Sequence, residues 1–198
     1  MDHEYEVLSS EVVYEGRVVD LRRDVVAMPG RTQSQRDVVV HPGAVAVVAL
    51  RGDDVLLVTQ YRHPVARRLD EIPAGLLDVA GELALSCAQR ELKEEAGYAA
   101  KSWHVLVDVL TSPGMTDEAI RIFLARDLHE VERDVQEHEE LELTVRWVAL
   151  ADAVSAALAG TLENAVCVVG VLAAAAARQR GFADLRSPDV PWRARPGR

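Results

Sequence analysis

Residues 75–98 read GLLDVAGELALSCAQRELKEEAGY, and this stretch decides the fold. Its second half carries helical periodicity. Leu83, Ala84, Cys87, Ala88, Leu92 and Ala96 fall on one side of a 3.6-residue repeat, which predicts a helix over Glu82–Ala96. Gly97 stands where a C-cap glycine belongs. The acidic residues fall elsewhere on the helix. Glu91 and Glu95 are four apart and share a face, where like charges repel. A divalent cation offsets that repulsion directly, and carboxylate oxygens are hard ligands of the kind magnesium and manganese take. Glu94, one residue round, reaches the edge of the same cluster or a second metal. Glu82 lies about two turns before Arg90 on nearly the same side, so a Glu82–Arg90 ion pair can orient the ligands from behind. For ELKEE alone, a solvated acidic face is the plain alternative. The ordered run Pro73-Ala74-Gly75, Glu82, Arg90-Glu91-Leu92, Glu94-Glu95, Gly97 and Tyr98 argues against it.

Working outward, the N-terminal side is rich in β-branched runs. Glu11–Tyr14 and Val18–Val26 read as two strands around Glu15-Gly16. Met28-Pro29-Gly30-Arg31 is a turn, and Val38–Val40 begins another strand that His41-Pro42-Gly43 interrupts. Ala44–Leu50 and Val55–Tyr61 flank the turn Arg51-Gly52-Asp53-Asp54 as a hairpin. On the C-terminal side, Trp103–Leu110 and Ala119–Ala125 read as strands around the loop Thr111–Glu118. Residues 127–142 are polar and mostly acidic, and read as a long loop. Leu143–Val148 is a strand; Ala151–Ala159 and Glu163–Arg178 are helices. The tail from Arg186, rich in proline and arginine, is expected to fray. Strands, a helix, more strands and then helices give a mixed α/β sandwich without the regular alternation of a doubly wound fold.

Composition sets bounds. A hydrophobic content of 49% supports a real core, and 27% charged residues exclude disorder for most of the chain. The net charge of −10 gives no general attraction for nucleic acid or anionic membrane, so neither is an expected partner. A phosphate substrate would need cations recruited locally. Cys87 and Cys167 sit inside apolar helical patterns and read as buried free thiols. The start MDHEYEVLSS has no apolar core of a signal peptide, and the apolar stretch Ala165 to Ala177 is too short to span a bilayer. A cytoplasmic location is the resulting expectation.

The run from Gly75 to Tyr98 resembles the signature of the Nudix hydrolase family, G-x5-E-x7-R-E-U-x-E-E-x-G-U, where U is a bulky apolar residue. Glu82, Arg90, Glu91, Leu92, Glu94, Glu95, Gly97 and Tyr98 match at the family's spacing. Two departures stand out. The loop between Gly75 and Glu82 is one residue longer, and Tyr98 is aromatic where an aliphatic residue is usual. The resemblance implies an α/β/α sandwich around a mixed sheet, with a loop–helix–loop that binds magnesium or manganese. It implies metal ligation by Glu91 and Glu95, with Glu94 close by and the backbone carbonyl of Ala74 as a further ligand. Residues 1–40 would form an N-terminal β-rich extension, residues 41–180 the catalytic domain, and residues 181–198 a flexible tail.

Further segments are similar to the ADP-ribose pyrophosphatase subgroup, close to its actinobacterial-type members. Pro113 lies sixteen residues after Gly97, in TSPGMTDE; QYRHP at residues 60–64 and the ENA segment at residues 163–165 agree. On that resemblance Arg36 and Arg62 contact substrate, where a planar fork grips phosphate or stacks on adenine. Leu76 would line the pocket, and Ser112 and Glu118 would flank the terminal ribose. The catalytic base would come from QEHEELEL, with Glu140 the better match and Glu139 the close alternative; His138 is not expected to be catalytic. The subgroup implies a homodimer whose N-terminal strands reach the partner's pocket. It implies hydrolysis of ADP-ribose to AMP and ribose 5-phosphate. Another nucleoside diphosphate sugar or dinucleotide is an alternative substrate, and a non-catalytic ADP-ribose-binding module is the alternative from another class.

Overall fold

The alternation of side chains along one strand organises the molecule. In the computed structural model, which describes residues 4–133 and 142–196, β4 (Ala44–Arg51) is almost wholly buried. Ala44, Ala46, Val48 and Leu50 point into one hydrophobic cluster; Val45, Val47 and Ala49 point into another. A strand has a side-chain period of two, so a central strand that is apolar at every position must be covered on both faces. β5 (Asp54–Arg62) repeats the pattern, with Val55 and Leu57 on the first side and Leu56 and Val58 on the second.

The covers are helices. α1 (Ala84–Ala96) contributes Cys87, Ala88, Leu92 and Ala96 to one cluster. α2 (Leu150–Leu158) and α3 (Ala165–Gln179) contribute Leu150, Ala153, Cys167, Val171 and Ala174 to the other. The result is the expected mixed α/β/α sandwich. Full burial of a side chain such as Leu92 contributes about 1.5–3 kcal/mol, so the apolar face of α1 ties it to the sheet.

Three strands precede this unit. β1 (Val7–Glu15), β2 (Asp20–Met28) and β3 (Thr32–Val40) form an antiparallel sheet of their own in the order β1-β2-β3. The central sheet also contains β6 (Arg67–Glu71), β7 (Ala74–Leu76), β8 (Tyr98–Leu110), β9 (Ala119–Glu130) and β10 (Thr144–Ala149). Its main path runs β10-β5-β4-β9-β8, and β4 and β9 are parallel. The β4–β5 hairpin turns at Gly52, which takes φ +59, and pairs only near its tip, at Leu50↔Val55 and Arg51↔Asp54. Beyond that the strands splay. β6 adds to β5 and β7 adds to β4, with the Val47 N–H donating to the Pro73 carbonyl at 2.8 Å. The splay places Glu71, Ala74 and Gly75 beneath α1.

Three expectations change. Residues 127–130, expected in a loop, continue β9: Tyr98↔Glu130 and Ala99↔His129 stay in register, and the Val131 N–H donates to the Gly97 carbonyl at 2.9 Å. That end of the ladder is polar except for Leu128, which packs with Ala100 on the cluster that α1 covers, so backbone pairing and this one apolar contact sustain it. The helix expected from Glu82 begins at Ala84, and Glu82 lies in the turn before it, its N–H donating to the Val79 carbonyl. The tail from Arg186, expected to fray, is placed against the sheet. Val105 and Arg186 form a bridge, and Val190 and Trp192 pack on the cluster that α1 covers. Both cysteines are free and buried, as expected. Among the described residues no helix is long and apolar enough to cross a membrane.

Candidate active site

α1 carries the acidic cluster because its apolar face commits Cys87, Ala88, Leu92 and Ala96 to the core, while Glu91 and Glu95 meet β7 at Gly75 and Ala74 and Glu94 meets Arg90. The helix ends at Gly97, in the left-handed conformation at φ 73, with its N–H donating back to Leu92 and Lys93 carbonyls. Arg133 closes the remaining carbonyls, donating from Nη2 to Glu95 O at 2.5 Å and from Nε to Glu94 O at 3.3 Å.

Glu95 is 6% exposed, and its carboxylate accepts the Ala74 N–H at 3.0 Å. Burial pushes its pKa up to about 8; Glu91 and Glu71 add to the rise, while the Ala74 N–H and Arg62 oppose it. Glu91 lies over Gly75. A Cβ at residue 75 would fall inside the Glu91 carboxylate group, so the glycine is what admits that side chain. Arg90 sits among the acids. It donates to both oxygens of Glu82 at 3.0 and 3.1 Å, to Glu91 Oε1 at 2.6 Å and to Glu94 Oε2 at 3.0 Å. Hydrogen bonds from Arg90 hold Glu82 below its ordinary pKa, and the same bonds, accepted by Glu82, hold the guanidinium charged. The expected Glu82–Arg90 pair is therefore present.

The donor set fits a divalent cation. Glu95 is a buried carboxylate with a second carboxylate beside it, and both present oxygen to the same splay. A cation there would reverse the balance that pushes Glu95 up. Among the described residues, no three His, Cys, Asp or Glu side chains stand close enough together to hold a metal as they are; Arg90 bonds both Glu91 and Glu94.

A cavity of about 410 Å³ opens beside this cluster. Its lining includes Arg62, Leu76 and Glu118 among the expected substrate contacts, with Ala74 and Gly75 at the edge nearest α1. Arg62 points its fork at Glu71, donating from Nε at 2.8 Å and from Nη2 at 2.6 Å. In this structure the fork is braced by Glu71, at the wall of the cavity where a substrate contact was expected. Ser112 is not in the lining; its carbonyl accepts the Met115 and Thr116 N–H groups in the turn. Arg36 lies out on β3, exposed, donating to Ser34 Oγ and the Gln35 carbonyl, away from this chain's own cavity. Glu139 and Glu140, the expected base, and His138 lie outside the described residues.

Two residues of the site escaped the reading of the sequence. Glu71, 2% exposed, is the buried counter-charge of Arg62. His41 lines the cavity, its Nδ1 accepting the Gly43 N–H at 3.1 Å and its Nε2 standing 3.5 Å from Glu118 Oε1. A charged residue abutting Ile72 and a histidine at a strand interruption were the available signals. Cys87, although it touches Arg90, is no nucleophile: burial first, then Glu91 and Glu82, push its thiol up to about 12.

Residues 40–167 match the NUDIX domain model. Over 196 residues the chain is 46% identical to an ADP-ribose pyrophosphatase of Mycobacterium tuberculosis, covering 98% of this chain and 94% of that one. It is 39% identical over 151 residues to an ADP-ribose pyrophosphatase of Bacillus subtilis, covering 76% and 81%. Among solved structures, one described as a crystal structure of ADP compounds hydrolase superposes with a TM-score of 0.79 at 21% identity, over 90% of this chain and 97% of that one. The carboxylate helix over the splayed strands, the family match and these relatives agree, and the chain belongs to the Nudix family.

Proposed function

We propose that the protein hydrolyses the pyrophosphate bond of ADP-ribose, giving AMP and ribose 5-phosphate. The observation that carries this reading is the buried Glu95 carboxylate beside Glu91 over Gly75, at the edge of a cavity sized for a small ligand that Ala74, Gly75, Arg62 and Glu118 line. Full-length similarity to a protein named ADP-ribose pyrophosphatase supports the choice of substrate.

In this reading Glu91 and Glu95, with Glu94 and the Ala74 carbonyl, hold magnesium or manganese. When bound, the ion supplies positive charge to the bridging phosphates and acidifies the attacking water. Arg90, fixed by Glu82, keeps the carboxylates aligned. Arg62, braced by Glu71, presents positive charge to the phosphates from the cavity wall. Leu76 gives an apolar surface, while Ser112 and Glu118 serve the terminal ribose. Glu140, or Glu139, takes the proton from water. The protein works as a homodimer in the cytoplasm, and Arg36 acts on the partner's substrate.

A substrate panel tests the proposal. ADP-ribose, GDP-mannose and a dinucleoside polyphosphate are each supplied at one concentration with magnesium or manganese. ADP-ribose is expected to be cleaved fastest. A faster rate on either of the others would move the substrate assignment, and tight ADP-ribose binding without turnover would indicate a binding module.

A further inference from the structure

We infer that residues 186–196 form a strap that sets the position of the loop before α1, and that Arg195 is a positioning residue for the carboxylate cluster. The inference rests on the metal-holding role proposed for that cluster.

The strap begins at a buried charge. Arg121, on β9, is 3% exposed and faces the cluster that α1 covers. Its register partner Asp108 takes two of its hydrogen bonds, at 2.8 and 3.1 Å. The remaining donors go to the tail: Nη1 to the Val190 carbonyl at 2.7 Å and Nη2 to the Pro191 carbonyl at 3.4 Å. The Trp192 ring lies 5.1 Å from the guanidinium carbon. Arg186 adds a bond to Asp108 at 2.9 Å, and the Val105 N–H donates to the Arg186 carbonyl at 3.0 Å. Without the tail, Arg121 would keep its counter-ion but lose both carbonyl partners and the Trp192 ring that cover it.

Past this anchor the strap turns to the chemistry. Arg195 Nη2 donates to the Glu82 carbonyl at 3.3 Å, and Pro196 packs on Gly43. Glu82 is the residue whose carboxylate grips Arg90, and Arg90 in turn touches Glu91 and Glu94. The start of α1 has no side-chain cap at Leu83, so α1 fixes the Glu82 carboxylate through Arg90 but offers its backbone no cap of this kind. The chain there is also one residue longer than the family signature. The strap adds a constraint from outside the helix: it holds the backbone carbonyl of Glu82, Glu82 holds Arg90, and Arg90 spaces the acids.

The test uses the full chain with Arg195→Ala, Arg195→Lys and Trp192→Ala. Amide hydrogen exchange is read without metal, and manganese binding is read from the paramagnetic resonance signal of the free ion. Arg195→Ala and Trp192→Ala are expected to speed exchange at residues 78–83 several-fold, with β4 and β9 unchanged. Manganese affinity is expected to fall several-fold in both and to recover in Arg195→Lys, which can still donate to the carbonyl. Exchange at residues 78–83 equal to the wild type in both would overturn the strap. A loosened loop with unchanged manganese affinity would overturn its link to the cluster. Neither readout uses ADP-ribose, so failure of the substrate assignment is seen separately.

Discussion

At Gly75 the presence or absence of a single carbon decides whether the carboxylate cluster can form. A Cβ there would occupy the space of the Glu91 carboxylate. Gly75→Ala is therefore expected to swing Glu91 away and to lower metal affinity by on the order of 10–100-fold, the range seen when a ligand's support is disturbed. The unfolding midpoint should hardly move, since Gly75 lies on the short edge piece β7 and does not need a positive φ. Calorimetric titration with manganese checks this; wild-type affinity in the variant would contradict it. The glutamates of α1 were legible in the sequence because helical spacing alone brings Glu91 and Glu95 to one face. Glu71 and His41 were not, because their roles depend on partners that only the tertiary fold supplies. The β5–β6 pairing brings Arg62 to Glu71, and the Val39↔Thr116 bridge brings the Glu118 loop to His41.

At the scale of elements, α3 approaches the sheet closely through Gly170. An added Cβ would stand 2.9 Å from both Ile72 Cδ1 and Val48 Cγ2. Gly170→Val is expected to lower stability by about 1–3 kcal/mol through overpacking, as urea unfolding would show. No loss would mean that α3 sits further from β4 than the structure has it. The β8–β9 pair makes a pH prediction. Burial acts to raise the pKa of Asp108, but hydrogen bonds from Arg121 and Arg186 outweigh it and hold the carboxyl below its ordinary value of 3.8. A folded-state pKa that is depressed contributes stability above the unfolded value and loses it as pH falls through the folded one. Asp108→Asn should therefore be less stable than the wild type at neutral pH, with the gap narrowing below about pH 4. A gap that stays constant into acid would contradict this. β4 and β5 were legible because both faces are apolar. The end of β9 was not, because Asp127 to Glu130 offer a single apolar residue, Leu128, and their strand rests mainly on pairing with β8.

For the whole molecule, the N-terminal sheet is the surface with uncovered apolar side chains. β1 is exposed along its full length, and Tyr5, Val7, Leu8, Val12, Val13 and Tyr14 all face outward. An apolar strand of that kind calls for a partner, and the proposed one is a second copy. Sedimentation equilibrium should return twice the 21.7 kDa chain mass, and a monomer would count against Arg36 serving the partner's cavity. The net charge of −10 bears on the same scale, because a chain this acidic attracts polyphosphate only where cations are held. The central claim is that the acidic helix α1 runs a metal-dependent cleavage of ADP-ribose. Its most direct test is to incubate the wild type and Glu95→Gln with ADP-ribose and magnesium or manganese, and to measure AMP. AMP with ribose 5-phosphate is expected from the wild type, none when the metal is chelated, and most of the rate lost in a folded Glu95→Gln; no AMP from the wild type with either metal, or a full rate in the variant, would rule out this role for α1.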